Sequence, residues 1–529
     1  MKRLTIATLL GALSLISAEA AKRPNILFIF SDDHALNAIS AYGGPLKDVA
    51  PTPHIDRLAN EGAIFKNSFC SNSICGPSRA SILSGKHSHK NGFMRNTGKG
   101  FDQSQWTFIK EIKNAGYQSA VIGKWHLHTK PTGFDYWEIL PGQGRYYNPT
   151  FIQMDGSKKE FEGYATDITT DKSIKWLDQR DKEKPFILMC QHKAPHRTFS
   201  PALRHLDAFK GVNIPEPSNL FDDYKTRSVT LPKNEMEVDR HLTWQYDLKL
   251  RNDEMDGVKL PNFWDYGTPE YDRMTKEQKT KWDAHFAPLN KKFIADYKAG
   301  KIDHKAMVQW KYQRYMQNYL STVKAVDESV GRMLQYLKDN DLEENTIVIY
   351  SSDQGFFLGE HGWFDKRWMF EESFKMSFLI KWPGVIKPGS KPEGLIQNID
   401  YAPTFLEMAG LSTPEEVQGK SIVPILKDSN ATVRDTVYYA YYEVGEHAVP
   451  QHFGVRNKRH KLFYLPWTDE WQMFDLKNDP DEMVNLHGNP EYAAVQKQLH
   501  AEYTRLRKEF DCPSYEANNP VKIRAQKHK

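Results

Sequence analysis

Asn25-Ile26-Leu27-Phe28-Ile29-Phe30-Ser31-Asp32-Asp33-His34 places an unbroken apolar run directly in front of two adjacent carboxylates. A strand with one wet face alternates apolar and polar residues. This run does not, so both of its faces must be covered. Four more runs have the same character: Ser119-Ala120-Val121-Ile122-Gly123, residues 186–191, Thr346-Ile347-Val348-Ile349-Tyr350 and Phe378-Leu379-Ile380. Residues 53–59 and 106–112 show helical spacing between them. The alternation predicts an α/β chain with a central, mostly parallel sheet flanked by helices.

Working outward, polar and ionisable residues stand just past each strand end: Asp32 and Asp33, then Lys124 and His126, then His196, then Asp353 and Gln354. Open α/β sheets build their sites outside the carboxyl ends of strands. Three carboxylates and one amide oxygen form a hard oxygen set, which suits Ca²⁺ or Mg²⁺. His126 and His128 also read as a zinc pair, but the other donors are carboxylates and an amide, which argues against zinc.

The chain has 529 residues, enough for more than one domain. Its 71 basic and 67 acidic side chains leave a net charge of +4, too small a bias to indicate nucleic acid. Lys2-Arg3, the apolar stretch 4–16 and Ala18-Glu19-Ala20 read as a secretory signal over residues 1–20. No later stretch is long and apolar enough to predict a membrane anchor. The expected location is therefore the periplasm or the exterior. The four cysteines do not make a disulfide scaffold, and Cys190 sits in an apolar strand.

Residues 200–305 are rich in Asp, Lys, Pro and Trp with weak periodicity, and read as an insertion that walls a cleft. Residues 311–337 have long-helix character. Residues 426–529 carry several short strand patterns, a final helix near 490–510 and a basic tail, a smaller α+β domain beside a catalytic domain at 21–425.

Within Cys75-Gly76-Pro77-Ser78-Arg79-Ala80-Ser81-Ile82-Leu83-Ser84-Gly85, a cysteine is followed at fixed spacing by Pro, Ser, Arg and Leu-x-Gly. This closely resembles the signature of the type I sulfatases. Gly123-Lys124-Trp125-His126, Ala194-Pro195-His196, Phe364-Asp365-Lys366-Arg367 and Trp382-Pro383-Gly384 extend the resemblance over nearly the whole chain. Sulfatases usually carry Asp-Asn where this chain has Asp353-Gln354, and the longer side chain keeps the oxygen. Residues 85–92, 140–144 and 359–372 look most like bacterial glycan sulfatases of the N-acetylglucosamine-6-sulfatase branch.

The resemblance implies an alkaline-phosphatase-like sheet and a C-terminal domain with an antiparallel sheet. It implies that a maturation enzyme oxidises Cys75 to formylglycine (3-oxoalanine), which hydrates to a diol. One diol hydroxyl attacks sulfur, and the second then expels sulfate and restores the aldehyde. One Ca²⁺ or Mg²⁺ would rest on Asp32, Asp33, Cys75, Asp353 and Gln354. Arg79 would steady the diol, Lys124 and Lys366 bind sulfate oxygens, His126 assist elimination and His196 act as general acid. His361, Arg367, His447 and His452 are candidate substrate contacts. The substrate would be a sulfated glycan, cleaved at the 6-O-sulfate of a chain-end N-acetylglucosamine-type residue. The alternatives are a carrageenan, ulvan, fucan or mucin sulfatase, a formylglycine-dependent phosphate or phosphonate monoester hydrolase, and a sulfated-glycan-binding protein without turnover.

Overall fold

The computed structural model describes residues 23–261, 265–443 and 445–515. The predicted leader at 1–20 and the basic tail lie outside the described residues.

A nine-stranded sheet forms the centre. Strand Asn25–Asp32 runs parallel to Phe186–Pro195 on one side and to Thr346–Ser352 on the other. Gln118–Lys124 continues the parallel set, followed by Tyr136–Leu140. The edges turn antiparallel. Phe378–Lys381 pairs antiparallel with Thr346–Ser352, and Thr150–Ile152 and Lys158–Glu160 extend the far edge the same way. The sheet is thus parallel across its centre, as expected, and takes on antiparallel strands at both edges.

The apolar runs are explained by the two cores. Ile26, Phe28, Phe30, Val121, Met189 and Ile349 face one side, where Ala80, Ile82, Leu83, Ile109, Ile112 and Phe405 cover them. Leu27, Ile29, Ile122, Leu188, Val348 and Tyr350 face the other, under Ile55, Leu58, Trp176, Leu177, Val326 and Val330. Burying each large side chain contributes about 1.5–3 kcal/mol, so both faces of the sheet are committed to the core.

The region read as an irregular insertion contains a helix, Lys276–Lys298, closed at its start by a Thr275–Gln278 capping box. Trp282, Phe286, Asn290, Phe293 and Ile294 form its buried stripe. Pro288, inside the helix but on its exposed face, hid the helix from the sequence reading. The long helix begins earlier than expected, spanning His304–Asp339 from an Asp303 N-cap.

After residue 435 the chain forms a four-stranded antiparallel sheet of Thr436–Tyr441, His452–Asn457, His460–Leu465 and Glu470–Asp475. Leu499, Tyr503 and Leu506 of helix Ala493–Glu509 pack against it. Val423, Ile425 and Leu426 belong to the core of the large sheet instead.

Gly123 marks where the sheet hands Lys124 to the site. Its φ is +106°, and a Cβ there would stand 1.9 Å from the Gln191 carbonyl oxygen on the neighbouring strand. Gly123→Ala is expected to destabilise the fold by about 3 kcal/mol or more. A fall in the urea midpoint measures it.

Candidate active site

Four strand ends and one helix N-terminus meet at a single place. Asp32 ends the first strand, and Asp33 turns out of it at φ +66°. Non-glycine residues rarely adopt that backbone, and where they do the surroundings hold them there. Here the Asp33 N–H donates to Asp353 Oδ1 at 3.1 Å, and the Asp33 carbonyl accepts the Tyr319 hydroxyl at 2.7 Å. His126, Asp365, Arg367 and His447 also have positive φ.

Cys75 is the first residue of helix Cys75–Ser84, every residue of which is buried. Asn96 Oδ1 accepts the Gly76 N–H at 3.0 Å, and the Ser78 hydroxyl donates to the Asp353 carbonyl. Ligating atoms of Asp32, Asp33, Cys75 and His196 all lie within 4.8 Å of one another. Asp353 adjoins them through Asp33, and the Gln354 amide donates to Asp33 Oδ1.

The charges are tightly interlocked. Lys124 Nζ donates to Asp32 Oδ2 and, at 2.5 Å, to Gln143 Oε1. Lys366 Nζ donates to Asp33 Oδ2 at 2.6 Å. Burial pushes the Asp33 carboxyl up to about 7, with Lys366 opposing and Asp353 and Asp365 adding to the rise. Burial also pushes the Cys75 thiol up to about 12. An unmodified thiol there stays protonated and is a poor nucleophile.

The residues present fit a hard divalent cation. Asp32, Asp33, Asp353 and Gln354 are fully buried, and Asp32 Oδ1 and Gln354 Oε1 have no hydrogen-bond partner. Buried carboxylates crowded in this way call for a cation, and two oxygens that accept no hydrogen bond offer it ligands. His126 and His128 take no part in the cluster of candidate ligands.

Arg79 is bonded to the neighbours of Cys75. Its Nε and Nη2 donate to Asp353 Oδ2 at 3.1 and 3.0 Å, and its Nη1 to the Lys124 carbonyl and Gln191 Oε1, each at 2.9 Å. These bonds fix Asp353 beside Cys75 and tie it to two strands.

His196 Nδ1 faces its neighbour's carbonyl, Arg197 O, at 2.5 Å, and Nε2 lies 3.6 Å from Asp33 Oδ2. Burial first, then the Lys124, Lys366 and Lys193 ammonium groups, hold its pKa well below the usual imidazole range. This environment favours the neutral imidazole. An anion seated between the lysines would offset their charges and favour the imidazolium.

Beside Lys366, Arg367 Nη1 stands 2.6 Å from Asp365 Oδ1, and His447 Nε2 stands 3.5 Å from Asp365 Oδ2. Two histidines lie elsewhere. His361 is buried against Asp222 at 3.2 Å and Arg227 at 2.9 Å, between Phe370 and Trp363. His452 is buried in a stack with Trp368, Tyr439 and Tyr441, near the Pro450 carbonyl at 2.9 Å. Both are packing residues, which corrects their reading as substrate contacts.

The sequence reading missed Gln143, Gln191 and Tyr146, whose hydroxyl donates to the His196 carbonyl at 2.6 Å. Gln191 lies inside a strand already identified, and its polarity within an apolar run was the available signal.

The Sulfatase family model matches residues 24–411, and the C-terminal model of N-sulphoglucosamine sulphohydrolase matches residues 359–509. The chain is 48% identical over 504 residues to the N-acetylglucosamine-6-O-sulfatase of Bacteroides thetaiotaomicron, which covers 93% of this chain and 88% of that protein. It is 25% identical over 519 residues to an arylsulfatase of Clostridium perfringens, covering 89% and 91%. A solved structure of a protein in complex with its substrate D-glucosamine-2-N,6-O-disulfate matches with a TM-score of 0.87 at 46% identity, over 94% of this chain and 99% of that one. The mixed sheet with its small antiparallel domain is thus the alkaline-phosphatase-like fold of these enzymes. This chain belongs to the sulfatase family and is a sulfuric ester hydrolase.

Proposed function

We propose that the enzyme removes the 6-O-sulfate from N-acetylglucosamine-type residues at the exposed end of a glycosaminoglycan chain. The observation that carries this reading is the meeting of Asp32, Asp33, Cys75 and His196 within 4.8 Å, with Lys124 and Lys366 bonded into the same carboxylates. The 48% identity to an N-acetylglucosamine-6-O-sulfatase supports the choice of sugar.

Cys75, oxidised to formylglycine by a maturation enzyme, presents its hydrated side chain at the helix start. Asp32, Asp33, Asp353 and Gln354, with the Cys75-derived hydroxyl, would hold one Ca²⁺ or Mg²⁺, which when bound neutralises sulfate oxygens and acidifies a hydroxyl. Lys124 and Lys366 exchange their carboxylate partners for sulfate oxygens. His196 takes up a proton as the anion enters and gives it to the departing sugar oxygen. His126 assists release at the nucleophile, and Arg79 keeps Asp353 in place. Arg367 and His447, oriented by Asp365, contact sugar hydroxyls. The leader sequence supports export to the periplasm or the exterior. Among the described residues, no helix is long and apolar enough to cross a membrane.

Matured enzyme assayed on defined sulfated sugars tests the substrate. The 6-sulfated glucosamines are expected to exceed carrageenan, ulvan and fucan oligosaccharides and aryl phosphonates in kcat/KM by about a thousandfold, since a polar site rejects sugars that leave its groups unpaired. A faster rate on any of the latter overturns the assignment.

A further inference from the structure

The wall beside His196 carries an aromatic shelf that the bond-breaking step does not use. Arg197, the next residue, is held by Asp247. Its Nε and Nη2 donate to Asp247 Oδ1 and Oδ2 at 2.8 and 2.6 Å. The guanidinium carbon then lies over three rings, 5.1 Å from the centroid of Phe364, 5.4 Å from that of Tyr246 and 5.5 Å from that of Tyr266. Phe364 directly precedes Asp365, against which Arg367 and His447 are set. The layer of Arg197, Tyr246 and Tyr266 therefore adjoins both His196 and the Asp365 group.

One carboxylate presents the two tyrosines together. Asp265 accepts the N–H groups of Gln245, Tyr246 and Gly267 at 2.8, 3.3 and 3.2 Å. Tyr266 lies between Asp265 and Gly267, and its ring centroid is 5.1 Å from that of Tyr246. Further along the same segment, Glu270 accepts the Tyr146 and Tyr147 N–H groups at 2.8 and 3.1 Å, and the Tyr146 hydroxyl donates to the His196 carbonyl. Tyr266 is thus braced from two directions against the strand that delivers His196, yet it is 51% exposed. A single exposed ring is ordinary on a protein surface. A braced pair beside the general acid is a flat amphipathic contact that costs little side-chain entropy to use.

His196 gives its proton to the sugar oxygen that departs, so the desulfated sugar lies on the His196 side of the cleft. A sugar linked to it continues along the Arg197 wall. A pyranose has a flat C–H face, and that face suits a phenol ring. We propose that Tyr266 and Tyr246 form a stacking subsite for the second sugar of the glycan, the one linked to the 6-sulfated residue. The enzyme then favours an oligosaccharide over the sulfated monosaccharide. This rests on the glycan-end reading above.

The test compares kcat/KM of full-length matured enzyme on N-acetylglucosamine 6-sulfate and on a tetrasaccharide that carries the same residue at its non-reducing end. Wild-type enzyme is expected to favour the tetrasaccharide about tenfold, chiefly through KM. Tyr266→Ala is expected to lower kcat/KM on the tetrasaccharide about tenfold and to change the monosaccharide less than about twofold, and Tyr266→Phe to keep the preference. Equal losses on both substrates, a wild-type enzyme without the preference, or a Tyr266→Phe enzyme as impaired as Tyr266→Ala overturns the stacking subsite alone. Wild-type enzyme that desulfates neither substrate overturns the substrate reading and the subsite with it.

Discussion

Cys75→Ala enzyme is expected to lose turnover of a 6-sulfated glucosamine by a factor of about 10⁵–10⁶, the size of effect seen when an enzyme loses its nucleophile. Substrate binding is expected to remain, because Lys124, Lys366, Arg367 and His447 are untouched. Initial rates and titration calorimetry separate the two. The reasoning is local. Cys75 heads a fully buried helix, and its ligating atom lies with those of Asp32, Asp33 and His196. Cys75→Ser is expected to be inactive to a similar degree, since a serine lacks the second hydroxyl that expels sulfate. A variant retaining more than about a hundredth of the rate would place the chemistry elsewhere.

The second large effect is loss of the cation. Exhaustive chelation is expected to lower kcat about a thousandfold or more, and Ca²⁺ or Mg²⁺ to restore it. Stability should follow, because the ion binds only the folded pocket. At a cation concentration a hundredfold above Kd the gain is about 2.7 kcal/mol, read as a rise in the denaturation midpoint. Asp33→Asn is expected to abolish both the rescue and the rise. Asp33 stands at the meeting of Lys366, His196, Gln354 and Asp353, so its charge is what these groups are arranged around. An Asp33→Asn enzyme with normal cation dependence would remove Asp33 from the ligand set.

The centre of the fold was legible because several short unbroken apolar runs, rich in β-branched and aromatic residues and spaced by helical segments, read as strands covered on both faces. Strand direction at the edges was not. Whether Phe378–Lys381 runs parallel or antiparallel is decided by its connection and its neighbours, not by Phe, Leu and Ile. Asp32, Lys124, His196 and Asp353 were readable as a group because each follows a strand end, which the sheet gathers at one edge. Gln143 and Tyr146 come from a loop with no fixed periodicity, so nothing in their spacing foretold contact with Lys124 and His196. His361 and His452 show the converse error. A histidine beside glycines or aromatics reads the same whether it meets a substrate or a Trp ring, and only packing separates the two. A sequence also does not show which carboxylate and carbonyl groups Arg79 binds.

The decisive measurement is the turnover number of cation-loaded enzyme on a sulfate ester, set against the fraction of Cys75 converted to formylglycine, quantified by mass spectrometry of the peptide that contains it. Turnover should rise in proportion to that fraction and pass through zero with it. Full turnover by protein whose Cys75 remains a thiol would contradict the account.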